Sequence, residues 1–159
     1  IVIWQSSKPE TVDEDLKYQM IDAEENANAA WAQVENMIAR RNQLLPQLFD
    51  AVNTDDKEIA QLKNDIETLR NQIENKDEEK QIRLQAELQT KIKELSSVIA
   101  EKTDDGQTQM LMVQIEGAYN RIATEGRRYN DVAKQYNILV KKHGDKLPQL
   151  KLKPYFKGN

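Results

Sequence analysis

Two charged residues stand where the helical patterning calls for apolar ones. In this 159-residue chain Arg41 falls between Ile38 and Leu45 in the apolar stripe of the first helical stretch. Glu125 falls between Ile122 and Tyr129 in the stripe of the last. If the two stretches run antiparallel, counting 13 residues back from Thr54 reaches Arg41, and 13 forward from Gln107 reaches Asn120. The spacing therefore predicts a buried or half-buried Arg41–Glu125 pair with Asn120 and Glu35 nearby. A polar layer of this kind fixes register and orientation between packed helices, its best-attested use. The alternative is a ligand or partner pocket at the same level.

Other chemistry finds few parts. Bundles that hold two irons need Glu together with Glu-x-x-His on facing helices. His143 is the only histidine, Val140 occupies the position three residues before it, and there is no cysteine. His143 beside Gly144 reads as a helix C-terminus, where a protonated ring interacts favourably with the dipole. No Ser or Thr sits in a nucleophile-elbow context, and no glycine-rich phosphate loop is present. The expectation is a non-enzyme without metal, cofactor or small-molecule substrate.

Helices must carry these residues. Charged residues make up 31% and apolar ones 38%, with only 5 Gly and 4 Pro, a composition typical of long, exposed helices. Thr11 and Glu14 are spaced as a capping box. From there Leu16, Met20, Ala23, Ala27, Trp31, Val34, Ile38, Leu45, Leu48 and Val52 trace one amphipathic face. Pro46 lies inside it and removes one backbone hydrogen bond. Ile59, Leu62, Ile66, Leu69 and Ile73 form a second stripe, and Leu84, Leu88, Ile92, Leu95 and Ile99 a third. The phase change between them, across Asn75-Lys76-Asp77-Glu78-Glu79, predicts a tight turn; one long helix with a stutter is the alternative. After the break at Thr103-Asp104-Asp105-Gly106, a regular seam runs through Leu111, Ile115, Ala118, Ile122, Glu125, Tyr129, Val132, Tyr136, Leu139 and His143. Gly117 and Gly126, nine residues apart on opposite faces of this helix, read as close-packing spots or local weak points.

The reading is all-α: an antiparallel up-and-down four-helix bundle with long first and last helices, or three long helices if the middle pair is fused. Residues 10–143 form the bundle and 144–159 an extended basic and aromatic tail. Residues 1–9 are the end of a membrane anchor or a linker: Ile1-Val2-Ile3-Trp4 reads either as the last turn of a span with its tryptophan at the headgroups or as a short apolar end that packs on the bundle or frays.

Several runs resemble the LemA family of bacterial membrane-anchored helical proteins. Ala30-Trp31-Ala32-Gln33-Val34-Glu35-Asn36, then Arg40-Arg41 and Leu44-Leu45-Pro46-Gln47-Leu48, is similar to its A-W-x-Q-V-E-N…R-R-x-x-L-I-P-N-L signature. Asn120-Arg121-Ile122-Ala123, Arg128-Tyr129-Asn130 and Tyr136-Asn137 resemble its E-N-R-I-A…Y-N…Y-N pattern, and Lys153-Pro154-Tyr155-Phe156 its C-terminal K-P-x-x-F element. Tyr119 stands where the family has glutamate, and Thr124-Glu125-Gly126 replaces an Ala/Arg stretch. The resemblance implies a four-helix domain behind an N-terminal membrane helix in the bacterial envelope, and brings no catalytic activity with it.

Charge placement completes the picture. Net charge is −4, which argues against a dedicated nucleic-acid binder. Residues 10–30 hold seven acids and one base, while 126–159 hold nine bases and two acids. In an up-and-down bundle these runs share a pole. Lys146, Lys151, Lys153 and Lys157, with Tyr155 and Phe156, are then candidates to lie on anionic headgroups, each base contributing about 1 kcal/mol. Alternatively the two runs neutralise each other and Tyr155-Phe156 packs on the bundle. The expected role is a membrane-tethered scaffold or adaptor for envelope or membrane proteins, with Asn36, Arg40, Arg127 and Arg128 as candidate partner surface. The second reading is a lipid-surface-binding spacer acting through the tail.

Overall fold

Four helices account for nearly all of the backbone: α1 (Val2–Ala51), α2 (Lys57–Ile73), α3 (Glu78–Lys102) and α4 (Gly106–Lys142). The computed structural model describes residues 2–52, 55–74, 77–146 and 150–157, with side chains from residue 14 onward. The all-helical, four-helix arrangement matches the expectation, and the phase change after Ile73 is a turn between two helices. Asn53, Thr54, Asn75 and Lys76 lie outside the described residues, as does Ile1.

An aspartate starts each of the last three helices. Asp56 Oδ1 accepts from the Glu58 and Ile59 N–H groups at 2.9 and 3.1 Å. Asp77 accepts from Lys80 N–H at 2.9 Å, and Asp105 accepts from both Thr108 N–H and its hydroxyl at 3.0 and 2.9 Å. Each cap satisfies a donor that the first turn leaves unpaired, worth about 1 kcal/mol. The start of α1 differs from the expected one. It begins at Val2, not at Thr11, and runs through Pro9, whose ring removes one backbone hydrogen bond from the ladder. The Thr11 side chain lies outside the described residues. Among them, no helix is long and apolar enough to cross a membrane.

α1 packs antiparallel along α4, and α2 along α3, while α3 approaches α4 only briefly. The apolar core changes its makeup along the long axis. At one end Leu45, Leu48 and Phe49 of α1 meet Ile59, Leu62 and Ile66 of α2, Leu88 to Ile99 of α3, and Leu111 and Ile115 of α4. In the middle, Val34, Ile38, Ile122, Tyr129 and Ala133 enclose Ile82 and Phe156. At the far end only α1 and α4 remain, with Leu16, Met20, Tyr136 and Val140 buried and Leu150 packed against them. A four-helix head thus tapers into a two-helix stalk. Along the stalk, residues 150–157 run back as an extended segment in the place a third helix would take.

Candidate functional site

Where the head becomes the stalk, two polar constructions sit close together. The first is Arg41, only 1% exposed. Its guanidinium Nη1 donates to Gln89 Oε1 at 3.1 Å and Nη2 to Gln85 Oε1 at 2.6 Å, both on α3. Nε and Nη2 also reach Asn42 Oδ1 at 3.3 and 3.2 Å. No carboxylate among the described residues lies within ion-pair distance of Arg41. Burial, and secondarily the neighbouring Arg70 charge, hold its pKa down at about 10, below the ordinary guanidinium range. It is still a cation at neutral pH, carried by three neutral amide oxygens, and two of those come from glutamines that are themselves buried.

The expected Arg41–Glu125 pair is not formed. Glu125 Oε1 accepts instead from Arg128 on its own helix at 3.0 Å, and Asn120 and Glu35 are exposed. Arg41 borders a small cavity with Tyr119 and Ile122, so α1 and α4 meet at this level. The face differs from the expected one. Trp31 lies against Tyr129 with ring centroids 5.1 Å apart. At that antiparallel register Glu125 sits opposite residue 35, six residues from Arg41, or about 9 Å at 1.5 Å per residue. Beyond Ile122 the buried seam steps to Gly126, Tyr129, Ala133, Tyr136 and Val140. It replaces the expected Glu125, Val132 and Leu139 by the residue after each, keeps Tyr129 and Tyr136, and ends before His143.

The reason for that shift is the second construction, a clamp on the C-terminal segment. Asn137 donates from Nδ2 to the Lys153 carbonyl at 2.9 Å and accepts at Oδ1 from the Lys153 N–H at 2.7 Å. Asn130 does the same for Phe156, at 2.8 and 2.7 Å. The Tyr129 hydroxyl lies 2.8 Å from the Pro154 carbonyl and 3.2 Å from Glu78 Oε1, so its one proton serves either acceptor. Burial, then the Glu78 charge, push the Tyr129 phenol well above its ordinary pKa, keeping it a donor. The Phe156 ring is buried, 6.3 Å from the Trp31 ring and directly over Gly126, where a Cβ would collide with it. Gly126 is the close-packing glycine; Gly117 has nothing within 4 Å.

A LemA family model matches residues 30–153. The chain belongs to the LemA family. A comparison with curated proteins returns no match. Within this LemA chain, Tyr-Asn pairs at 129–130 and 136–137 are the residues that grip the tail. Their seven-residue repeat was the signal for the clamp, and periodicity of apolar residues alone could not show it.

The remaining candidates fall on the surface. Asn36, Arg40, Arg127 and Arg128 are exposed, Arg127 reaching the Thr124 hydroxyl at 3.3 Å. Of the tail residues, Lys146, Lys151 and Lys157 are exposed, as is Tyr155. Phe156 does not face outward as a headgroup anchor would, because it fills the α1/α4 groove. Lys153 is half-buried, its Nζ 3.1 Å from Asn28 Oδ1 and over the Tyr136 ring at 5.2 Å. His143 is the C-cap residue of α4, its N–H bonded to the Leu139 carbonyl. No group of His, Cys, Asp or Glu among the described residues has the arrangement to hold a metal ion.

Proposed function

We propose that this LemA protein is a non-enzymatic, membrane-tethered scaffold or adaptor of the bacterial envelope that offers helix surfaces to protein partners. The observation that supports this reading most is the open groove between α3 and α4, about 730 Å³, lined by Ile92, Met112, Val113, Ile115 and Tyr119 with polar Ser96, Ser97 and Gln109. Beside it Val113 and Met110, three apart on one face of α4, are 67% and 64% exposed. Large apolar side chains left outside a bundle that has buried its other stripes mark contact surface. Arg40, Arg127 and Arg128 are exposed elsewhere on α1 and α4 and do not line this groove. The buried Arg41, Gln85 and Gln89 satisfy one another.

Capture of the full-length anchored protein from lightly cross-linked native membranes tests this, with Val113→Arg and Met110→Arg variants in parallel. Partners enriched by the parent and lost from the variants support the scaffold. Identical recoveries refute groove-mediated scaffolding. The lipid-spacer reading retains Lys146, Lys151, Lys157 and Tyr155 but loses Phe156. Binding to anionic liposomes that disappears on removing residues 144–159 would favour it.

A further inference from the structure

The clamp on the tail is built to read an extended backbone. Two side-chain amides, seven residues apart on α4, each bracket the N–H and C=O of one residue, at Lys153 and Phe156. Seven helical residues advance about 10.5 Å at 1.5 Å each. Three extended residues advance about 10 Å at roughly 3.3 Å each. The pitch of the brackets therefore equals the pitch of every third residue in any extended chain, and these four hydrogen bonds contain no side-chain information. The Tyr129 hydroxyl adds a fifth contact, again to a backbone carbonyl.

Selectivity comes from two positions. Phe156 fills the notch over Gly126 beside Trp31 and Tyr129. The Lys153 ammonium sits between Asn28 Oδ1 and the Tyr136 ring face. Between them Pro154 holds an extended conformation and gives up no donor that the clamp uses. Leu152 and Tyr155 are 49% and 43% exposed and impose little.

We propose that the α1/α4 groove formed by Trp31, Gly126, Tyr129, Asn130 and Asn137 is a peptide-binding site. Its resident occupant is residues 150–157, and an extended Lys-Pro-x-aromatic segment of a partner protein takes their place. The inference rests on the reading of the protein as one that works through protein partners, and it names the class of partner segment. The resident tail competes in cis at the high effective concentration of a short connection. The site is thus closed by default, and only a segment delivered at comparable local concentration, as by a partner held on the same membrane, displaces it.

The test uses the full chain with Trp4→Phe, so that Trp31 is the sole tryptophan, and adds Phe156→Ala to weaken the cis occupant. The probe is the capped peptide Leu-Lys-Leu-Lys-Pro-Tyr-Phe-Lys, followed by Trp31 emission. Saturable binding is expected in the Phe156→Ala chain, at least tenfold tighter than in the chain retaining Phe156. It should fall at least tenfold when Asn130→Ala and Asn137→Ala are added, and vanish when the peptide's Phe is replaced by Ala. Absence of saturable binding up to millimolar peptide, or binding indifferent to the two asparagines, overturns the proposal. If circular dichroism shows that Phe156→Ala loses helix, Phe156→Leu, which keeps the notch partly filled, gives the same comparison. Because the α3/α4 groove variants leave this site untouched, loss of peptide binding and loss of partner capture are separate failures.

Discussion

Replacing Gly126 by alanine should destabilise the protein, although the same change is favourable in most helices. Glycine inside a helix is about 1 kcal/mol worse than alanine, so relief of that cost is the baseline expectation. At Gly126 a Cβ would stand 2.7 Å from Phe156 Cε1 and 3.1 Å from its Cγ, well inside the ~3.5–4.0 Å of an ordinary carbon contact. The ring cannot slide aside easily, because Asn130 holds the Phe156 N–H and carbonyl while Trp31 stands on another side. Either the ring is expelled, forfeiting the ~1.5–3 kcal/mol of a buried large side chain, or it stays and overpacking costs ~1–3 kcal/mol. After the helix gain, the net loss is about 0–2 kcal/mol, and Tm falls by roughly 2–4 °C per kcal/mol in a chain of this size. Gly117→Ala is the control: nothing lies within 4 Å of its Cβ position, so it should stabilise by up to about 1 kcal/mol. In a Phe156→Ala background the collision is gone, and Gly126→Ala should change sign, giving a coupling of about 2 kcal/mol in the double-mutant cycle. Thermal and urea unfolding followed by far-ultraviolet circular dichroism reads all of these. A Gly126→Ala protein as stabilised as the Gly117→Ala protein would refute the packing argument.

Arg41→Met should cost about 2 kcal/mol or more, because it strands the Gln85 and Gln89 oxygens at ~1–3 kcal/mol each; adding Gln85→Leu and Gln89→Leu should restore most of the urea midpoint, since an apolar replacement of a whole buried polar group is often neutral or better. Asp105→Ala removes a cap and should cost about 1 kcal/mol, read as a lower urea midpoint at neutral pH. Hydrogen bonds hold the Asp56 and Asp105 carboxyls below their ordinary 3.8, mainly from Lys102 at Asp56 and from Thr108 at Asp105. The unfolded chain therefore takes up protons first. The stability these caps contribute is complete above pH 3.8 and is lost as pH falls below it, and an acid titration of Asp105→Ala should show a shallower loss than the parent. Tyr129→Phe deletes the hydroxyl bonded to the Pro154 carbonyl, which should cost about 1 kcal/mol and speed hydrogen exchange at the Lys153 and Phe156 amides.

The helices were legible because each is marked locally. Asp56, Asp77 and Asp105 sit where a stripe restarts, and the phase change after Ile73 was enough to reveal a turn that neither glycine nor proline marks. Arg41 was legible as a buried charge for the same reason, since it alone breaks the α1 stripe. Its partners were not, because Gln85 and Gln89 are polar residues that apolar periodicity skips; the structure buries them beside Ile82 and Leu88 on α3 and leaves Leu84 half-exposed. Glu125 misled for a different reason. Steps of three and of four are both helical, so residue types alone do not decide between Glu125 and Gly126 after Ile122. What decides is Phe156, thirty residues later, whose ring needs the position without a Cβ.

That dependence also explains why charge does not hold the tail, although the charges are well placed for it. Described residues of the acidic run on α1 and of the basic run on α4 and the tail meet along the stalk, as Asn28 and Lys153 do, and the Glu24 charge helps burial raise the Tyr136 phenol. Yet among the described residues no ion pair joins the two runs. Lys153 meets the neutral amide of Asn28 and the face of Tyr136 instead. Exposed charges at such separations are screened over about 8 Å at physiological salt, and even close surface pairs contribute only ~0–1 kcal/mol. Five hydrogen bonds and one buried ring are stronger and do not depend on salt. Two helices alone would leave one side of the stalk seam open to water; an extended segment closes it with a single aromatic side chain, because the asparagines bind the backbone that a third helix would have kept to itself.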